Sequence, residues 1–179
     1  MNLEEKQLSS KRIYKGKILS LCVDNVLLPD GNTAERECVR HSSGAAVLLV
    51  KDNKVLLVKQ YRYLYGKEIY EIPAGKLNDG EDAEDGARRE LEEETGYRAK
   101  LVRYFDLYPS PGYTDEIIYI FYATEYEFVG QKLDEGEFLK CEFIDIDKVL
   151  NLIAEGKICD AKTVSAIYKY LTEKNRLSR

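Results

Sequence analysis

Residues 75–97 read GKLNDGEDAEDGARRELEEETGY, and three glutamates near the end of this stretch decide how the chain is read. Glu90, Glu93 and Glu94 are three and four positions apart, so on a helix they line one side. Like charges at that spacing repel and weaken the helix unless something positive sits between them. A hard divalent cation with a preference for oxygen, Mg2+ or Mn2+, is the economical explanation. The competing reading is a solvated acidic face laced with Arg88 and Arg89, the usual fate of an arbitrary run of glutamates.

The local grammar predicts a helix here. Asp82 is placed to cap it, with Asp85 three residues on, acidic residues fill the first turn, and Gly96 stands where a left-handed C-terminal residue is wanted. Ala83, Ala87 and Leu91 recur every four residues and form the packed stripe. At 3.6 residues per turn, Glu90 and Glu94 lie within about one hundred degrees of Leu91, close enough to the buried side to point into a cleft. Arg89 reaches Glu93 one turn later and also reaches back across the loop to Glu81.

Counting from Gly75 gives five residues, Glu81, seven more, then Arg89, Glu90, Leu91, any residue, Glu93, Glu94, any residue, Gly96 and a final apolar slot. This resembles the Nudix box, with every charged and glycine position filled; only the last slot departs, with Tyr97 where an aliphatic residue is usual. So many fixed positions make the signal strong. The family hydrolyses nucleoside diphosphates linked to another group, using two or three divalent ions. The resemblance implies Mg2+, with Mn2+ as a substitute, held by Glu90, Glu93, Glu94 and the backbone carbonyl of Ala74. It also implies an ion pair between Glu81 and Arg89 that ties loop to helix.

The rest of the chain sets limits. With 179 residues, 44% of them hydrophobic, it can bury one core. A net charge of -5 argues against a nucleic-acid backbone as partner, whereas a small phosphorylated ligand needs only a few arginines. Cys22, Cys38, Cys141 and Cys159 form no CxxC pair, which removes support for a zinc ribbon and fits reduced thiols in a cytoplasm. Neither a signal-peptide core nor a membrane-length apolar run is expected. His41, the only histidine, has no nucleophile motif beside it, and no GxxxxGK[ST] loop occurs.

Along the chain, residues 17–28, with Leu19, Leu21 and Val23 on one face, and residues 33–41 are expected to form an N-terminal hairpin around the PDGN turn. Residues 44–50 and 55–61 read as a second hairpin around KDNK, with apolar runs typical of well-covered strands. Further strands are expected at 68–72, 101–108, 117–128 and 138–144, followed by helices over 147–155 and from Asp160 onward. This order points to a mixed sheet covered by helices. The resemblance implies a Nudix α/β/α sandwich over residues 42–179, with residues 1–41 as an N-terminal antiparallel β extension.

The box leaves the substrate open. Beyond it, SPGYTDE, with Ser110, Pro111, Gly112 and Glu116, is similar to a proline motif of ADP-ribose pyrophosphatases. AEREC, with Arg36 and Glu37, resembles the strand those enzymes use against ligand, often across a dimer. Arg62 in KQYRY matches their diphosphate-binding arginine; guanidinium forks suit phosphate oxygens. The competing reading of Arg36 and Arg62 is an ion pair with strand carboxylates. Tyr14, Tyr61 and Tyr113 are able to stack on adenine, as are others among the 14 tyrosines, so no platform is assigned.

In the ADP-ribose subfamily the general base lies on a loop after the last long strand. The matching loop is QKLDEGEF, which implies Glu135 as base and Glu137 as an additional metal ligand, with Glu93 and Glu94 also serving catalysis; a flexible acidic surface loop is the alternative. The resemblance therefore implies a Mg2+-dependent ADP-ribose diphosphatase that makes AMP and ribose 5-phosphate. It also implies a homodimer, with neither nucleic acid nor membrane as partner. Hydrolysis of another nucleotide sugar or ADP-linked metabolite, and a non-catalytic ADP-ribose-binding module, are the alternatives.

Overall fold

A computed structural model describes residues 2–177. It resolves into two compact units: the chain up to Ser43 with Tyr108–Ile117, and Gly44–Leu107 with the described residues from Ile118 onward.

The first unit is a three-stranded antiparallel sheet in the order β1 (Lys6–Lys15), β2 (Leu19–Leu27), β3 (Thr33–His41). The expected hairpin is β2–β3, in unbroken register from Leu19↔His41 to Leu27↔Thr33. β1 was not anticipated, because KQLSSKRIYK has no sustained alternation, and it is exposed along its whole length. On β2 the face opposite Leu19, Leu21 and Val23 is the more buried one. Cys22, Asp24 and Val26 are buried, whereas Leu19, Leu21 and Val23 are only half-buried. Arg40 makes this possible by pairing with the buried Asp24 carboxylate at 2.5 Å, which offsets part of the cost of removing that charge from water. The Tyr108–Ile117 segment joins β3 through Val39, whose N–H donates to the Tyr113 carbonyl at 2.7 Å.

The second unit contains β4 (Gly44–Leu48), β5 (Val50–Lys51), β6 (Lys54–Arg62), a 3-10 turn (Tyr63–Tyr65), β7 (Lys67–Glu71), β8 (Ala74–Lys76), α1 (Ala83–Thr95), β9 (Tyr97–Leu107), β10 (Ile118–Phe128), β11 (Leu139–Asp145), α2 (Ile146–Ala154) and α3 (Ala161–Leu177). One sheet runs β8-β4-β10-β9 and the other β11-β6-β5, with β7 also on β6. β4 and β10 are parallel while their other neighbours are antiparallel, so the first sheet is mixed. The expected hairpin around KDNK is confined to β5–β6, because β4 belongs to the other sheet. Its two-residue turn has positive φ at Asp52 (47°) and Asn53 (61°), the requirement of the turn type whose twist matches a hairpin.

Alternate side chains of the central strands enter two cores. Ala46, Leu48, Val55, Leu57 and Ile120 pack with Val149, Ile158 and Ile167 of the α2–α3 region, whereas Ala45, Val47, Leu56 and Phe121 pack with Ala87 and Leu91 of α1. Strands covered on both faces must be apolar at every position, which is why GAAVL in β4 is buried throughout. The second unit is thus an α/β/α sandwich with α1 on one side and α2–α3 on the other, as expected.

Candidate active site

The site is built where β7 ends and α1 begins to pack. Asp82 caps α1 by accepting the Glu84 N–H at 2.8 Å, and Gly96 closes it in the left-handed region at φ 75°. Gly96 has a second role that the sequence did not reveal. A Cβ there would stand 2.6 Å from the Gln131 nitrogen and 2.7 Å from Gly130, so only glycine lets the loop after β10 lie on the helix end. That loop is tied down by Val129 N–H to the Gly96 carbonyl (2.8 Å), the Gln131 amide to the Glu94 carbonyl (2.5 Å) and Lys132 N–H to the Glu93 carbonyl (3.2 Å). An open cleft of about 690 Å³ lies there, with Arg89, Glu93, Gly130 and Lys132 in its walls.

Arg89 meets Glu81 and Glu93, the two contacts its spacing allowed, and Glu90 as well. Arg89 donates from Nε and Nη2 to both Glu81 oxygens at 2.9 and 3.1 Å, and from Nη1 to Glu90 at 2.7 Å and Glu93 at 3.0 Å. The Arg89 bond, reinforced by the Asn78 N–H, holds the Glu81 carboxyl down at about 2. Gly75 is required for a different reason: a Cβ on it would fall 2.1–2.2 Å from the Glu90 carboxylate. The glycine loop therefore forms a cradle that the Glu90 head group fills.

Glu94 is the most unusual of the set. It is only 4% exposed, and one oxygen accepts the Ala74 N–H at 2.9 Å. Burial pushes its carboxyl up to about 8, opposed by the Ala74 N–H, with repulsion from Glu90, Glu137 and Glu71 adding to the rise. Burial likewise raises Glu90; Arg89 opposes the rise, and Glu93 and Glu137 add to it. Among the described residues no ion pair engages Glu94. Glu137 contributes to the repulsion at both Glu90 and Glu94, and its N–H turns back to the Asp134 carbonyl at 3.1 Å. Glu135 is exposed within the same turn.

A set of carboxylates of which Glu94 is buried, Glu90 and Glu93 are half-buried and Glu137 is exposed matches Mg2+ or Mn2+ in donor chemistry and in charge. The match is one of composition. Among the described residues no group of three or more histidine, cysteine or acidic side chains is arranged to hold a metal ion. The reason is visible in Arg89, which draws Glu90 and Glu93 to its own guanidinium.

The other expected residues fall in distinct places. Arg62, at the end of β6, presents Nε and Nη2 to the Glu71 carboxylate at 2.6 and 2.7 Å. Arg36 pairs with Glu5 at 2.7 Å, and Glu37 is exposed on β3. The Ser110 carbonyl accepts N–H bonds from Tyr113 and Thr114, both at 3.2 Å, in a turn that also contains Pro111 and Gly112. Glu116 lies 3.4 Å from His41. Arg36, Glu37, Ser110, Pro111, Gly112 and Glu116 thus belong to the first unit, and Arg62 and the box residues to the second.

Sequence reasoning missed a buried ionic group beside the box. Glu71, 2% exposed, is met by Arg62 from one side and Lys162 from the other. The one available signal was a glutamate next to Ile72 in an otherwise covered strand end.

The chain has relatives among known proteins. The family described as NUDIX domain matches residues 40–166, and the one described as Nucleoside diphosphate sugar hydrolase N-terminal domain matches residues 5–39. The chain is 44% identical to an ADP-ribose pyrophosphatase of Bacillus subtilis (strain 168), covering 98% of this chain and 97% of that protein. It is 42% identical to a Methanol dehydrogenase activator of Bacillus methanolicus, covering 92% and 91%. It is 35% identical to a GDP-mannose pyrophosphatase of Yersinia enterocolitica, covering 77% and 80%. A crystal structure described as ADP compounds hydrolase shares the fold, with a TM-score of 0.82 at 21% identity over 98% of this chain and 99% of that one.

Proposed function

The chain belongs to the Nudix family of hydrolases, and from that membership we propose that it hydrolyses the diphosphate of ADP-ribose to AMP and ribose 5-phosphate. The observation that carries this reading is the buried Glu94 carboxylate, seated on the Ala74 N–H and set against Glu90 over Gly75. Such a concentration of negative charge out of water is costly unless cations join it. The near full-length similarity to the ADP-ribose pyrophosphatase of Bacillus subtilis supports the substrate.

Glu90, Glu93, Glu94, Glu137 and the Ala74 carbonyl are the groups that would hold the ions, two or three Mg2+ with Mn2+ as substitute. When bound, such ions neutralise charge on diphosphate oxygens and lower the pKa of a coordinated water. The chain does the rest. Arg89 and Glu81 fix the loop on the helix. Arg62, with Arg36, Glu37, Ser110, Pro111, Gly112 and Glu116, binds the substrate. Glu135 takes the proton of the attacking water, whose oxygen becomes part of one phosphate product while the bridging oxygen leaves with the other.

Incubation of the purified protein with ADP-ribose and Mg2+, with products resolved by chromatography, is expected to release AMP and ribose 5-phosphate in equal amounts. Absence of AMP at high enzyme concentration would overturn the assignment. A second reading, hydrolysis of another nucleotide sugar, is favoured by the similarity to a GDP-mannose pyrophosphatase. Catalytic efficiencies for ADP-ribose, GDP-mannose and NADH separate the two.

The same reading takes the protein to act as a homodimer in the cytoplasm, with residues 1–41 as the dimerising extension and 42–179 as the hydrolase domain. Light scattering on a chain lacking the residues before His41 should show a monomer where the full chain shows a dimer. No helix among the described residues is long and apolar enough to cross a membrane.

A further inference from the structure

The first turn of α3 grips the strand end that leads into the box. Asp160 accepts the Thr163 N–H at 3.0 Å and the Thr163 hydroxyl at 2.5 Å, and the same hydroxyl accepts the Ile72 N–H at 2.8 Å. Lys162, 7% exposed, places its ammonium between the Glu71 carboxylate and Asp160, the latter at 3.0 Å. Glu71 is in turn held by both arms of Arg62. Two residues further, the Pro73 carbonyl accepts the Val47 N–H at 2.9 Å, and the Ala74 N–H meets Glu94. Each residue from Glu71 to Ala74 therefore has a fixed partner, and two of the four are held from α3.

The arrangement is more than packing. A buried carboxylate needs one good cationic partner, and Glu71 has two. Arg62 and Lys162 share the one carboxylate, so Glu71 is fixed from α3 as well as from β6, and the guanidinium that it orients is fixed with it. Asp160, which balances Lys162, is itself satisfied by the start of α3. Arg62 is close enough to the box for Glu94 to raise its basicity, after the larger effects of Glu71.

We propose that Lys162 is a positioning residue for phosphate binding: by sharing the Glu71 carboxylate from α3, it keeps the Arg62 guanidinium oriented and available to a diphosphate oxygen. The inference rests on the proposed hydrolysis and on Arg62 as a phosphate ligand.

The test is a double-mutant cycle between Lys162→Met and Arg62→Ala, read in two ways. The first is KM against kcat for the diphosphate substrate that the wild type turns over. The second is the Kd of ADP for the protein in EDTA, measured by calorimetry, which needs neither metal nor turnover. Lys162→Met is expected to raise KM and the ADP Kd about tenfold with kcat within about threefold, and Lys162→Arg to recover most of the loss. In the Arg62→Ala background the Lys162→Met effect should shrink below about twofold. An unchanged KM and Kd in Lys162→Met, or an effect of full size without Arg62, would overturn the proposal. If Lys162→Met does not fold, the smaller shift of Lys162→Arg is read in the same cycle and must likewise vanish with Arg62→Ala. A wild type that cleaves no diphosphate defeats the proposed function alone, since the ADP cycle still judges Lys162.

Discussion

Glu71 and Glu94 are the same residue at nearly the same depth, 2% and 4% exposed, yet their electrostatics are opposite. Burial works against the charge of both. At Glu71 the bonds from Arg62 and Lys162 outweigh burial, and its carboxyl lies below the ordinary range. At Glu94 the Ala74 N–H is too little, and the carboxyl rises to about 8. The chain thus compensates one buried acid internally and leaves the other surrounded by acids. Depth does not tell a structural carboxylate from a functional one; the partners do.

The largest effect expected from this contrast is on stability. Glu71→Gln leaves Arg62 and Lys162 side by side without their shared anion, and should destabilise the protein by about 3 kcal/mol in urea unfolding monitored by circular dichroism. A loss near zero would mean that the network does not hold the strand end. Glu94→Gln should do the reverse. Turnover is expected to fall by about a hundredfold, while the metal-free protein stays at least as stable as the wild type, because the cost of burying an acid among other acids has gone. Comparable turnover in the mutant would remove Glu94 from the site.

Gly75→Ala sharpens the same point without touching a charge. Its new methyl must displace the Glu90 head group, so activity should drop about tenfold while the melting temperature shifts little, as expected for a misplaced group at a reacting centre. The smaller loss of stability concerns Glu81, whose carboxyl falls from 4.5 to about 2 in the folded chain. A depressed folded-state pKa contributes stability above the unfolded value, and that stability is lost as pH falls through the folded one. The gap between wild type and Glu81→Gln should therefore be about 2 kcal/mol at pH 7, on the scale of one hydrogen bond to a charged group. It should narrow steadily from pH 4.5 towards 2 in unfolding curves recorded across that range. A gap independent of pH would mean that Glu81 acts through packing.

How much was legible depends on distance along the chain. The cap at Asp82, the stop at Gly96 and the Arg89 contact with Glu93 all join residues within a few turns, where helical geometry alone decides who meets whom. Glu81 and Arg89 are eight residues apart and still followed from the loop pattern. β1 escaped because an exposed strand needs no apolar alternation. The buried face of β2 was not legible because Asp24 lies inside with Arg40 as its partner, and hydrophobic patterning has no way to register a compensated charge. The passage of the chain from one sheet to the other after β4 leaves no local mark either, since both strands are apolar throughout their covered length.

The order of residues by itself determined the box, its helix and its family, because a carboxylate repeat, a cap and a glycine loop are short-range facts of spacing. Only the tertiary structure decided which acids are buried and what answers them. Lys162 meets Glu71 across 91 residues of chain, Gly96 makes room for the loop at Gln131, and Glu94 meets the Ala74 N–H across 20. Solvation and charge depend on neighbours in space, and the chain acquires those neighbours only when its sheets and helices close on one another.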